Sequence, residues 1–143
     1  MRIIWEEVPS AVKKEVEPHV KRFTPVLPAW IELMRIVFSP PGDAAFLATI
    51  EISYEYRQIQ VCIHPRFLTI DYHRQATTIL HEFIHTTFSG PSGVFSSLVD
   101  AAVDEDNPLG NWADEEWRKA EEAAVTDLEY GIARLLGMKA PTS

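Results

Sequence analysis

Two histidines four residues apart flank a glutamate in the stretch His81-Glu82-Phe83-Ile84-His85, an HExxH pattern. Residues four apart on a helix share one face, so both imidazoles can reach a single metal ion. Glu82 projects beside them, placed to take a proton from a metal-bound water. Zinc lowers the pKa of such a water towards roughly 7, and a carboxylate can then complete its activation. Phe83 and Ile84 fill the remaining positions as core anchors. Five letters recur by chance, so the pattern carries weight only if it sits on a helix supported by strands.

A catalytic zinc site takes three protein ligands and keeps one position open. The histidines are His19, His64, His73, His81 and His85, so none follows the pattern. The stretch from Thr86 to Pro91 excludes the third histidine of the metzincin arrangement. A downstream third ligand must therefore be a carboxylate, and Glu121 and Glu122 are the candidates on the last predicted helix. A wheel drawn on Val125, Leu128, Ile132 and Leu135 puts Glu121 near the centre of the buried face and Glu122 on its flank. A carboxylate facing the core is costly unless it is paired or metal-bound, which favours one of the two pointing inward.

The elements that position these residues follow from periodicity and punctuation. Pro9 to about Phe23 reads as a helix, with Ser10 as cap, Val12, Val16 and Val20 at helical spacing, and Pro18 as a point of breakage. Leu33 to Phe38 reads as a strand closed by the turn Ser39-Pro40-Pro41-Gly42-Asp43. Ala45 to Tyr56 alternates as a strand, and Gln58 to Ile63 forms another, ended by Pro65. Asp71 caps the helix that carries the HExxH pattern, and Gly90-Pro91 is its expected stop. The last helix is expected from Asn111–Asp114 to Leu136, ending at Gly137. Between the two lies an expected loop of about twenty residues, from Pro91 to Gly110, long enough to cover a cleft.

HExxH followed by a glutamate on a later helix resembles the gluzincin branch of the zincin metallopeptidases, most strongly over residues 71–137. In many members a small apolar residue and a polar one follow the ligand glutamate at three and four positions. Val125 and Thr126 match that spacing from Glu122, whereas Ala124 and Val125 match it less well from Glu121. The resemblance thus implies His81, His85 and Glu122 as ligands to Zn2+, with Glu82 as catalytic base. Thr126 departs from the usual Asp or Asn. The short chain is similar to small, often phage-associated metallopeptidases and minimal gluzincins. That likeness implies an α+β, zincin-like fold of three main helices, with a small, mostly antiparallel sheet preceding the HExxH helix. It also implies that the edge strand, within residues 45–63, binds extended peptide.

Composition bounds the rest. The 143 residues suit a single domain over 1–143, and an apolar share of 46% is ordinary for a globular protein. Cys62 is the only cysteine, which excludes internal disulfides and cysteine-based zinc sites. It reads as a buried structural residue and not as a ligand. A net charge of −8, from 21 acids against 13 bases, argues against nucleic acid as partner. Many acids crowd the stretch from Asp100 to Glu122, where most read as solvated. The acidic stretch Met1–Pro9 does not read as a signal peptide and no apolar run is long enough for a membrane span, so a cytoplasmic location is expected. His64, His73, Tyr54, Tyr56 and Tyr72 could orient a substrate carbonyl but read more simply as packing residues, and the four tryptophans read as core. The expected partner is a peptide or protein substrate, with oligomeric state left open. Two rivals stand beside the peptidase reading. One is a catalytically weak or latent metal-binding protein acting through a partner. The other is a non-enzymatic adaptor.

Overall fold

The computed structural model describes residues 1–39, 46–103 and 107–138. Strand β1 (Arg2–Glu6) leads into helix α1 (Ser10–Phe23). Strands β2 (Leu33–Phe38), β3 (Ala48–Ser53) and β4 (Gln58–Ile63) then precede helices α2 (Tyr72–Ala102) and α3 (Pro108–Leu135). Short 3-10 segments, Thr24–Val26 and Pro65–Thr69, follow α1 and β4. The architecture is α+β.

The four strands form one sheet in the order β1-β2-β4-β3. β1 pairs with β2 and β2 with β4 in parallel, while β3 and β4 are antiparallel. The expected mostly antiparallel sheet is therefore corrected to a mixed one. Side-chain alternation reports which face a residue occupies, whereas strand direction is set by the connections. Here α1 returns the chain to run parallel, and β1, five residues without clear alternation, was not among the expected elements. The β3–β4 hairpin closes on a left-handed residue, Arg57 with φ 53°, whose N–H donates to the Tyr54 carbonyl at 3.0 Å. Tyr54 and Tyr56 thus belong to the turn, and β3 ends at Ser53, short of the expected Tyr56.

One sheet face carries Met34, Ile36, Ile59, Val61 and Ile63. With Val16, Val20 and Phe23 of α1 and Ile79, Leu80, Phe83 and Ile84 of α2, they form one buried apolar cluster. Each large side chain buried this way stabilises the fold by roughly 1.5–3 kcal/mol. The opposite face is polar and half-exposed, with Arg35, Gln58 and Gln60. Cys62 lies on this second face, half-buried and not fully buried as expected.

Two prolines sit inside helices without ending them. Pro18 lies within α1 and Pro91 within α2, which continues to Ala102 instead of stopping at Gly90. Each ring removes one helical N–H and leaves a carbonyl four residues earlier without its donor. Pro18, Pro91 and the preceding Lys14 and Thr87 are all exposed, so solvent can serve those carbonyls. Ser10 does not cap α1, whose N-cap is Pro9 without a side-chain bond. Asp71 does cap α2, accepting the N–H groups of His73 and Arg74 at 2.9 and 3.1 Å. α3 starts earlier than expected, at Pro108, after Asn107 accepts the Leu109 N–H at 3.0 Å. Of the expected covering loop, residues 91–102 and 108–110 are helix. Gly137, at φ 66°, follows α3 as expected. The turn residues 40–43, the expected strand start at Ala45 and the acids at 104–106 lie outside the described residues. No helix of the described residues is long and apolar enough to cross a membrane.

Candidate metal centre

α2 presents His81 and His85 one turn apart, and α3 runs back along that face. The pairing crosses the two helices in reverse order. His81 Nδ1 meets Glu129 Oε2 at 3.0 Å, and His85 Nδ1 meets Glu121 Oε1 at 3.1 Å. An ionised carboxylate only accepts hydrogen bonds, so both Nδ1 atoms carry the proton and donate. In the neutral rings both Nε2 atoms then expose lone pairs. These face each other at 3.3 Å.

Glu122 completes the cluster. Its Oε2 lies 3.5 Å from His81 Nε2 and its Oε1 lies 3.5 Å from His85 Nε2. His81, His85 and Glu122 bring their ligand atoms within 4.8 Å of one another. Tetrahedral zinc, with bonds of roughly 2.0–2.2 Å, holds its ligand atoms about 3.3–3.5 Å apart. The Nε2–Nε2 separation and the distance from each Nε2 to its nearer Glu122 oxygen are close to that spacing, although the two nitrogens meet different oxygens of the carboxylate. The donor set of two imidazoles and a carboxylate also suits zinc. Each imidazole is oriented from behind by a carboxylate, as metal-ligating histidines usually are.

Glu129 was missed in the sequence because the expected buried face of α3 was rotated. Val125, Glu129 and Ala133 are buried, whereas Leu128 and Leu135 are 43% and 87% exposed. Apolar character selects Leu128 and Leu135 as inward, but α3 packs on a helix face that carries two imidazoles. Glu121, Val125 and Glu129, spaced by four, form that inward stripe. The spacing of four from Glu121 through Val125 to Glu129 is the only trace of this stripe in the sequence.

Glu82 faces β3, where the Ile50 backbone N–H donates to its carboxylate. Burial pushes its pKa up to about 7, with the nearby His81 working against that rise and Glu122 adding to it. The Glu129 hydrogen bond raises the pKa of His81, opposed by burial. Glu82, His81 and Glu122 line a cleft with Phe46, Ala48, Ile50 and Ile52 of the β3 side. The cleft continues past Glu82 and Glu129 to His73, Arg74 and Thr77.

β3 is the sheet edge beside this cleft. Leu47 directs its carbonyl inward to His64 N–H, and Ile50 directs its N–H outward to Glu82. Since backbone groups alternate along an antiparallel edge, Ala48 and Ile52 also turn theirs towards the cleft.

Of the residues set aside earlier, His73 lines the cleft, and its buried Nε2 has no hydrogen-bond partner among the described residues. His64 Nε2 pairs with Thr49 Oγ1 at 3.3 Å, and Tyr72 packs on His19 with centroids 4.4 Å apart. Trp5 and Trp30 pack against the core, whereas Trp112 is exposed, contrary to expectation. The chain matches no family model, no curated protein and no solved structure.

Proposed function

We propose that this protein is a zinc-dependent metallopeptidase of the gluzincin type. His81, His85 and Glu122 hold the ion and Glu82 is the general base. The observation that carries this reading is the convergence of both Nε2 atoms and the Glu122 carboxylate at ligand separations, with Nδ1 of each imidazole committed to a carboxylate.

When bound, zinc supplies a Lewis acid that lowers the pKa of a coordinated water and polarises a carbonyl. The chain's own residues do the rest. At the β3 edge, unpaired by another strand among the described residues, the outward backbone groups of Ala48 and Ile52 are offered to an extended peptide, which favours a peptide bond over a small ester or amide as substrate. Glu82 accepts the proton of the attacking water. It then passes that proton to the leaving amine, which departs as the scissile C–N bond breaks. Phe46, Ile50 and Ile52 give the cleft an apolar wall.

The test is metal content by elemental mass spectrometry of tag-free protein, with turnover on a peptide library. Near-stoichiometric zinc, and turnover lost in Glu82→Gln with zinc retained, is the expected result. Wild-type levels of cleavage by Glu82→Gln would sink the mechanism. Absence of zinc after incubation with excess metal would leave the adaptor reading standing.

A further inference from the structure

The two imidazoles are not supported alike. Glu129, behind His81, is held chiefly by burial, at 8% exposure. Glu121, behind His85, is held by a chain of hydrogen bonds. Its Oε2 accepts from Ser92 Oγ at 2.6 Å, and Trp117 Nε1 donates to that same Oγ at 3.1 Å.

The direction of this chain is fixed by what each group can do. An indole N–H only donates, so Ser92 accepts from Trp117. The hydroxyl's single proton is then free for Glu121, which only accepts. The other oxygen of Glu121 is left to accept from His85 Nδ1. Polarity thus runs from Trp117 through Ser92 to Glu121, and it leaves the carboxylate fixed with one oxygen aimed at the Nδ1 proton of His85. The indole plane is fixed by Phe95, stacked on Trp117 with centroids 4.6 Å apart and planes 12° apart. Ser92 and Phe95 both belong to the part of α2 beyond Pro91. The helix's continuation past its expected stop is what brings them over α3.

We infer that Ser92 and Trp117 are positioning residues of the metal centre, which fix the Glu121 carboxylate and hold His85 in the tautomer that presents Nε2 to the ion. This rests on the zinc reading above, and the experiment separates the two.

Two measurements are made on full-length wild type, Ser92→Ala, Ser92→Thr and Trp117→Phe. Zinc affinity is read by competition with a chromophoric chelator. The His85 tautomer is read in metal-free protein by long-range 15N–1H correlation. Wild type and Ser92→Thr, which keeps the hydroxyl, are expected to show the Nδ1–H form. Ser92→Ala is expected to mix in the Nε2–H form and to weaken zinc binding about tenfold or more, the lower end of what outer partners of metal ligands contribute. Trp117→Phe keeps a ring against Phe95 and should weaken binding in the same direction by less. Ser92→Ala with an unchanged tautomer and zinc affinity within twofold of wild type overturns the inference, even if wild type binds zinc well. No zinc uptake by wild type, with the tautomer still disturbed in Ser92→Ala, overturns the zinc reading and leaves the positioning role intact. Circular dichroism confirms that each variant is folded.

Discussion

His81 and Glu129, 48 residues apart in the chain, meet at 3.0 Å where α2 and α3 pack. The bond directs His81 Nε2 to its neighbours, and it raises the affinity of the ring for a second proton. A metal and that second proton compete for the same nitrogen, so zinc uptake depends on pH. We expect Glu129→Gln to weaken zinc binding by roughly 10–100-fold at pH 7.5. Because the His81 pKa is raised in the metal-free wild type, zinc release on acidification should begin at a higher pH than for an ordinary imidazole. Chelator competition across pH 5–8 reads both effects, and an affinity unchanged in Glu129→Gln would contradict them.

Glu121 and Glu122 are neighbours with separate tasks. Glu122→Ala should lose stoichiometric zinc, because its oxygens are the ones facing both Nε2 atoms. Glu121→Ala should retain zinc at saturating metal and lose it under mild chelation, because its carboxylate reaches Nδ1 of His85. Elemental analysis before and after dialysis distinguishes the two. The reverse order of losses would exchange the assigned roles.

Glu82→Gln should abolish turnover and yet stabilise the metal-free protein above neutral pH. The Glu82 carboxyl titrates at about 7 in the folded chain against an ordinary 4.5. Between those values the folded state holds a proton that the unfolded state has released. Stability from this group therefore falls as pH rises from about 4.5 to about 7 and stays low above it. The effect is on the order of 2–3 kcal/mol, allowing for the cleft's partial exposure to water. Urea denaturation of metal-free wild type and Glu82→Gln should give similar stability near pH 4.5 and a clear gain for the variant at pH 8. Parallel curves would show that the carboxyl is not raised.

Phe83, within the HExxH stretch, is fully buried and anchors the ligand helix to the sheet. Phe83→Ala should cost about 3–5 kcal/mol through lost burial and the cavity left behind. The loss would be seen as a lower urea midpoint in metal-free protein. A change under 1 kcal/mol would mean that α2 is not held by this side chain.

The ligand helix was legible because its signals are local. Asp71 supplies a cap, and Ile79, Leu80, Phe83 and Ile84 supply a helical stripe, so His81, Glu82 and His85 could be placed without knowing the fold. β2 and β4 were equally clear, at Leu33–Phe38 and Gln58–Ile63. What escaped depended on contacts distant in sequence. The β1–β2 pairing joins Arg2 to Leu33, and nothing in Arg2–Glu6 alone announces a partner. Gly90-Pro91 is a strong local stop, overridden where the α2 extension packs Phe95 on Trp117. Glu129 was hidden because a rule that places apolar residues inside cannot foresee a carboxylate buried against an imidazole. The choice between Glu121 and Glu122 turned on how α3 is rotated, which only its packing on α2 decides.

His81, His85, Glu121, Glu122 and Glu129 all belong to one helical hairpin, and α3 adds little else to the buried core beyond Val125 and Ala133. The hairpin is therefore fastened by a few apolar contacts, the Phe95–Trp117 stack among them, together with the carboxylate–imidazole pairs, and α3 is the element best placed to come away by local opening. A cation bridging the two helices would stitch it closed. Amide hydrogen exchange should slow in α3 on zinc addition, with much smaller change in β2 and β4. Equal slowing throughout would mean that the chain opens only as a whole. Under zinc shortage, proteolytic nicking would then begin in this hairpin, well before the sheet lost its protection.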